Sequence, residues 1–115
     1  MVRRRDDQAV AVNENMRGGN GAITIITIAS KDEMYEKGRL FAHLVIKKDC
    51  SIGWHIHEDE MEAFYILKGK AWYNDNGTET ELLPGDTAYT PSGYGHCIGN
   101  NEDEDMELIA MILYR

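Results

Sequence analysis

From Arg39 onward, apolar and polar positions alternate in short runs broken by glycine, proline, asparagine and aspartate. Side chains switch faces at each step of an extended chain, so this alternation predicts strands with one buried face. The runs fall at 39–46, 52–57, 61–67, 70–74, 78–82, 86–90, 95–99 and 106–114. The breaks are Lys68-Gly69, Asp75-Asn76-Gly77, Pro84-Gly85, Pro91-Ser92-Gly93 and the acidic stretch Asn101 to Asp105. Asn76-Gly77 is the sharpest of them, because a two-residue hairpin needs positive φ at both central positions. Strands spaced at about 8–12 residues predict an all-β fold, either two packed sheets or a closed barrel.

Two further strands are expected nearer the start, at 9–12 and at Ala22 to Ala29, which is rich in Ile and Thr. The loop between them, Asn13 to Gly21, holds three glycines. Ser30 and Glu33 form a candidate capping box, which predicts a short helical turn reaching Lys37. Residues 1–8 read as a flexible tail and residues 9–115 as a single domain.

Composition narrows the class of partner. The chain has 115 residues, 43% hydrophobic and 28% charged, which is enough to bury a core without disulfides. A net charge of −8 leaves no broad basic face, so neither nucleic acid nor an anionic membrane is an expected partner. The lone basic cluster, Arg3-Arg4-Arg5, runs straight into Asp6-Asp7 and reads as a solvated tail. No apolar run approaches the roughly 20 residues of a membrane span. The start lacks an apolar signal core, and Cys50 and Cys97 lack C-x-x-C spacing, so a cytoplasmic location is expected.

Candidate chemistry lies in two segments. In the first, Gly53 to Gly69, His55 and His57 share a strand face, and Glu62 follows a tight turn at Glu58 to Glu60. Phe64 and Ile66 are in phase with Glu62, so its carboxylate points inward. An inward carboxylate is costly unless paired or bound to a metal. In the second, Gly85 to Asn100, His96 brings a third imidazole, in phase with Ile98 and Asn100. Taken singly, each residue has an ordinary structural reading. Together they form a candidate site for a divalent metal, with His55, His57, Glu62 and His96 as ligands. Trp54, Ile56 and Cys97 fall out of phase and belong to the opposite face.

These segments resemble the signatures of the cupins, a family of small β-barrels. The first family segment runs H-x-H, three or four residues, E, six residues, G; His55, His57, Glu62 and Gly69 fill it. The second runs G, five residues, P-x-G, two residues, H, three residues, N; Gly85, Pro91, Gly93, His96 and Asn100 fill it. One position departs: the family has Gly six residues before the first His, where this chain has Asp49. The Met16 to Gly21 run is similar to that of small single-domain bacterial cupins of the oxalate-decarboxylase-like type.

The resemblance implies a double-stranded β-helix (jelly-roll barrel) holding a divalent transition metal on those four residues. Mixed nitrogen and oxygen ligands suit manganese or iron first, with zinc, nickel or cobalt as alternatives. Coordination positions left open would admit a small carboxylate or sugar-like molecule. One expectation is therefore a metal-dependent decarboxylase, oxygenase or isomerase. The other is a non-catalytic metal-dependent binding or sensor module. For turnover, Glu60 is the candidate proton donor, with Glu58 and Asp59 beside it. Tyr94, with Tyr65 and Tyr89, is a candidate hydrogen-bond donor. Arg17 and Arg39 are candidate cations. No Arg precedes His55 in Cys50 to Trp54, which departs from oxalate decarboxylases. His43, in phase with Phe41 and Val45, either packs in the core or lines the pocket. Small cupins usually pair, so a homodimer is expected, formed by lending residues 9–12 or Ala22 to Ala29 to a neighbour's sheet.

Overall fold

The computed structural model describes residues 1–115 and contains ten strands. They are β1 (Val10–Glu14), β2 (Ala22–Thr27), β3 (Gly38–Ile46), β4 (Ser51–Ile56), β5 (Glu60–Lys68), β6 (Ala71–Asp75), β7 (Thr78–Leu82), β8 (Thr87–Thr90), β9 (Gly95–Gly99) and β10 (Met106–Tyr114). Two sheets result, in the orders β1-β2-β3-β10-β5-β8 and β4-β9-β6-β7. Every pairing is antiparallel. Both early segments pair within the chain, β1 with β2 and β2 with β3. The fold is the double-stranded β-helix that the alternation and the two signature segments imply.

The core lies between the sheets. Leu44 and Ile46 of β3, Phe64 and Ile66 of β5, and Leu108 and Ala110 of β10 meet Ile52 of β4, Tyr73 of β6 and Ile98 of β9. Burial alternates along β5, β6, β10 and the second half of β3, where the sheet has one inner face, whereas β1 is exposed throughout and β9 is buried at nearly every position. Asn76-Gly77 closes β6 onto β7 with positive φ at both residues, while Asp75 and Thr78 pair across the loop. Ser30 and Glu33 exchange side-chain bonds with each other's N–H, as a capping box does. The segment after them stays a turn, because Tyr35 and Glu36 take left-handed angles that no helix continues. Arg3 donates to the carbonyl of Ile28 and pairs with Glu33. No helix is long and apolar enough to cross a membrane.

The departure at position 49 is resolved by backbone geometry. Asp49 has φ 62°, in the left-handed region that a glycine would enter freely. Aspartate tolerates that region better than most residues, so the turn into β4 survives without the glycine. Asn100, the last residue of the second segment, is buried and holds a turn. Its amide donates to the carbonyls of Ile46 and Glu104, and its oxygen accepts from the N–H of Glu102.

Candidate metal centre

The site bridges the two sheets at one end of the sandwich. His55 of β4 and His96 of β9 are direct register partners, next to a bulge that follows Ile52. His57 follows β4, tied by its N–H to the carbonyl of Tyr94. Glu62 enters from β5 in the other sheet, opposite Thr90 and Ile112. The three histidine Nε2 atoms are mutually 3.1 Å apart. Glu62 Oε1 stands 3.0 Å from His57 Nε2 and 2.9 Å from His96 Nε2. All four donor atoms lie within 4.8 Å of one another.

Three outer partners aim the rings. His55 Nδ1–H donates to the carbonyl of Gly53 at 2.8 Å. His57 Nδ1–H donates to Glu60 Oε2 at 2.6 Å. His96 Nδ1 faces the Tyr73 and Thr90 hydroxyls at 2.7 and 2.9 Å. A carbonyl and a carboxylate can only accept, so His55 and His57 carry their neutral-form proton on Nδ1. Their Nε2 lone pairs therefore point at each other and at the Glu62 carboxylate. Lone pairs packed this closely repel unless a cation lies among them.

The spacing fits such an ion. Adjacent donors around a six-coordinate metal with bonds of about 2.1 Å stand about 3.0 Å apart. The titration tendencies agree. Burial lowers His55 to about 4, keeping it a neutral ligand. Burial opposes charge on His57 too, but Glu62 and Glu60 outweigh it and raise its pKa. Glu62 is raised by burial, yet its bonds to His57 and His96 prevail and hold it ionised. The centre is therefore a concentration of lone pairs that favours positive charge.

A cavity of about 170 Å³ opens onto His55, His57 and Glu62. Half of its lining residues are apolar, Leu40, Leu44, Ile52 and Ile112 among them, and Arg17 and Arg39 also line it. Both candidate cations thus reach the site. Arg17 is held there by an unusual contact. It takes φ 54° within the 3-10 turn Met16–Gly18, and that turn packs backbone-to-backbone on β4. A Cβ added at Gly53 would stand 2.2 Å from the Arg17 carbonyl oxygen. Only glycine permits that approach.

The other expected residues separate. Glu60 is beside the site, but its oxygens are occupied by Arg39 and His57, and its carboxyl is lowered to about 2, first by Arg39. Tyr65, Tyr89 and Tyr94 are 48%, 61% and 49% exposed, whereas Tyr73, 2% exposed, is the tyrosine that reaches a histidine. Tyr94 contributes its backbone carbonyl to His57, and its side chain does not line the cavity. His43 lies with neither the core nor the pocket. It pairs with Glu107 at 2.7 Å, and the residues flanking it, Ala42 and Leu44, are the ones in the core. Trp54 and Ile56 are exposed on the face away from the ligands, as their phase requires. Cys50 and Cys97 are free thiols outside the ligand set.

Tyr73 and Thr90 are the His96 partners that spacing does not reveal, and Arg39 is the partner of Glu60 that it does not reveal. The available signal was weak: Tyr73 and Ala71 occupy the inward phase of β6, so a buried hydroxyl there needs a partner.

Comparison with known proteins agrees with this geometry. The "Oxalate-binding protein" of Thermotoga maritima is 40% identical over 99 residues, covering 86% of this chain and 82% of that protein. The crystal structure of a predicted oxalate decarboxylase from Thermotoga maritima superposes with a TM-score of 0.94 at 37% identity, covering 100% of both chains. KdgF from Halomonas sp. shares the fold, with a TM-score of 0.76 at 16% identity over 100% of this chain and 96% of that one. The family model for the cupin domain matches residues 42–112, well over half of the sequence, and the chain belongs to the cupins.

Proposed function

We propose that this cupin holds a divalent transition ion on His55, His57, Glu62 and His96 and presents it to a small carboxylate. The observation that carries the reading is that five of the six separations among the four donors are 2.9–3.1 Å, with all of them within 4.8 Å and with outward-facing partners on the rings. Three imidazoles and one carboxylate leave a divalent ion with a net charge of about +1, which attracts an anion despite the acidic chain. Nitrogen and oxygen donors without thiolate suit manganese or iron, then zinc, nickel or cobalt. When bound, the ion supplies Lewis-acid polarisation or a template for an oxyanion.

The cavity supports a small acid. Arg17 lines it together with His55, His57 and Glu62 and offers positive charge to a second carboxylate group, while Arg39 is already paired with Glu60. The relative from Thermotoga maritima named for oxalate binding supports the same ligand class. Binding is favoured over turnover because the nearest acid outside the ligand set, Glu60, has both oxygens engaged by Arg39 and His57. Turnover of a small polar acid is the second reading, favoured by the coordination positions that four protein donors leave open on a six-coordinate ion.

The test is calorimetry on chelator-treated protein. Oxalate should bind after Mn²⁺ is added and not before. Equal oxalate binding with and without metal would overturn the reading. Assay of the same mixture for CO₂ or formate separates binding from turnover.

Pairing of two copies is part of the proposal. Phe41, Tyr65, Tyr89, Ile109 and Met111 form an apolar patch on the outer side of the six-stranded sheet, well suited to a second copy. A monomer at micromolar concentration in sedimentation would count against it.

A further inference from the structure

Each imidazole is held from behind by a different kind of acceptor. His55 uses a carbonyl of its own strand, and His96 uses two hydroxyls. His57 uses a carboxylate, and that carboxylate is itself gripped. Arg39 Nε donates to Glu60 Oε1 at 2.8 Å, and a terminal guanidinium nitrogen donates to Oε2 at 2.7 Å. The same Oε2 accepts from His57 at 2.6 Å.

This chain of contacts runs from β3 in one sheet, through the start of β5, to the residue after β4 in the other sheet. No hydrogen-bond ladder joins β4 to β5, because β4 pairs with β9, and β5 pairs with β10 and β8. Yet His57 and Glu62, from those two strands, must meet at 3.0 Å. Only the short connection through residues 58–61 and the side chains join the two strands there.

We propose that Arg39 and Glu60 are positioning residues for the metal: the guanidinium fixes the carboxylate, and the carboxylate fixes the His57 ring toward the ion. The inference rests on the metal reading above. A planar guanidinium meeting both oxygens of a carboxylate fixes its orientation as well as its place. An imidazole donating to that carboxylate loses its freedom to rotate and becomes a better ligand at its other nitrogen. Both Glu60 oxygens are engaged, Oε1 by Arg39 and Oε2 by Arg39 and His57 together.

His43 and Glu107 provide an internal control. They make a comparable pair at 2.7 Å, away from the cavity and from the ligand set.

The experiment is Co²⁺ titration of the chelator-treated full chain against a competing chelator, with the visible spectrum recorded at saturation. Glu60→Ala should weaken Co²⁺ binding by about 10–100-fold and shift the cobalt bands. Glu60→Gln keeps one oxygen for His57 and should lose less. Arg39→Ala should lose less than Glu60→Ala, and the double variant should match Glu60→Ala alone, since Arg39 acts through Glu60. Glu107→Ala should bind as the wild type does. Wild-type affinity and spectrum in Glu60→Ala would overturn the proposal, as would losses in the double variant that multiply independently. If Glu60→Ala fails to fold, a Glu60→Gln protein indistinguishable from wild type overturns it equally. A wild-type protein that takes up no Co²⁺ removes the metal reading itself, a separate result.

Discussion

His55 and His96 face each other across the β4–β9 ladder with their Nε2 atoms 3.1 Å apart. Their outer nitrogens turn away from each other, one to the Gly53 carbonyl and one to the Tyr73 and Thr90 hydroxyls. The register of one strand pair thus places two of the candidate ligands, and the facing sheet supplies the carboxylate. Sites built on strands hold such geometry more tightly than loops do.

Metal removal should therefore be felt by the whole fold. The ion binds the folded chain, and at about 100 times its Kd it adds about 2.7 kcal/mol of stability. For a domain of this size the melting temperature should rise by about 10 °C with Mn²⁺ and fall back with EDTA. Calorimetric scans of both forms check this. An unchanged melting temperature would show that no ion couples to folding.

His96→Ala tests the same ligand set from one side. It removes a ligand and strips the Tyr73 and Thr90 hydroxyls of their shared partner. The metal-free variant should lose about 1–3 kcal/mol in urea unfolding from those buried hydroxyls. Mn²⁺ should then stabilise it far less than it stabilises wild type. Equal stabilisation of the two would remove His96 from the ligand set.

Gly53→Ala should separate anion binding from metal binding. The new methyl would meet the Arg17 carbonyl oxygen at 2.2 Å and the Gly19 nitrogen at 2.9 Å, both backbone atoms that cannot step aside. The turn at Met16–Gly18 should lift from β4 and carry Arg17 out of place, at a cost of about 1–3 kcal/mol. Oxalate affinity of the Mn²⁺-loaded protein should fall by more than Mn²⁺ affinity does, the latter also dropping because the Gly53 carbonyl holds His55 Nδ1. Oxalate binding as tight as in wild type would clear Arg17 of a recognition role.

Acid titration reads the Arg39–Glu60 contact. Glu60 is lowered from 4.5 to about 2, first by Arg39 and further by His57. A depressed carboxyl stabilises the fold above its unfolded value, and that contribution is lost as pH falls from 4.5 toward 2. In metal-free protein, Arg39→Ala should lower stability at pH 5–7 and converge on wild type as pH approaches 2. Two melting curves offset by the same amount throughout that range would contradict the assignment.

Much of this was legible in the chain because it is local. Two-residue alternation placed the strands, Asn76-Gly77 placed a hairpin, His55 sat in phase with His57, and Glu62 and His96 sat in phase with buried neighbours. The misread residues depend on contacts far along the sequence. Glu60 looked like one acid in an exposed acidic turn, but its partner Arg39 stands 21 residues earlier. His43 was correctly put in phase with Phe41 and Val45, yet periodicity does not say which face is inward. Glu107, 64 residues away, meets it on the outer side. Tyr73 and Thr90 serve His96 only because β6, β8 and β9 converge there, and no spacing rule encodes that meeting.

The central claim is most directly tested by anomalous diffraction from crystals grown with Mn²⁺. One peak should lie among the Nε2 atoms of His55, His57 and His96 and Glu62 Oε1, at about 2.1–2.3 Å from each. No peak there in a well-ordered crystal, or a peak held by other side chains, would contradict the account.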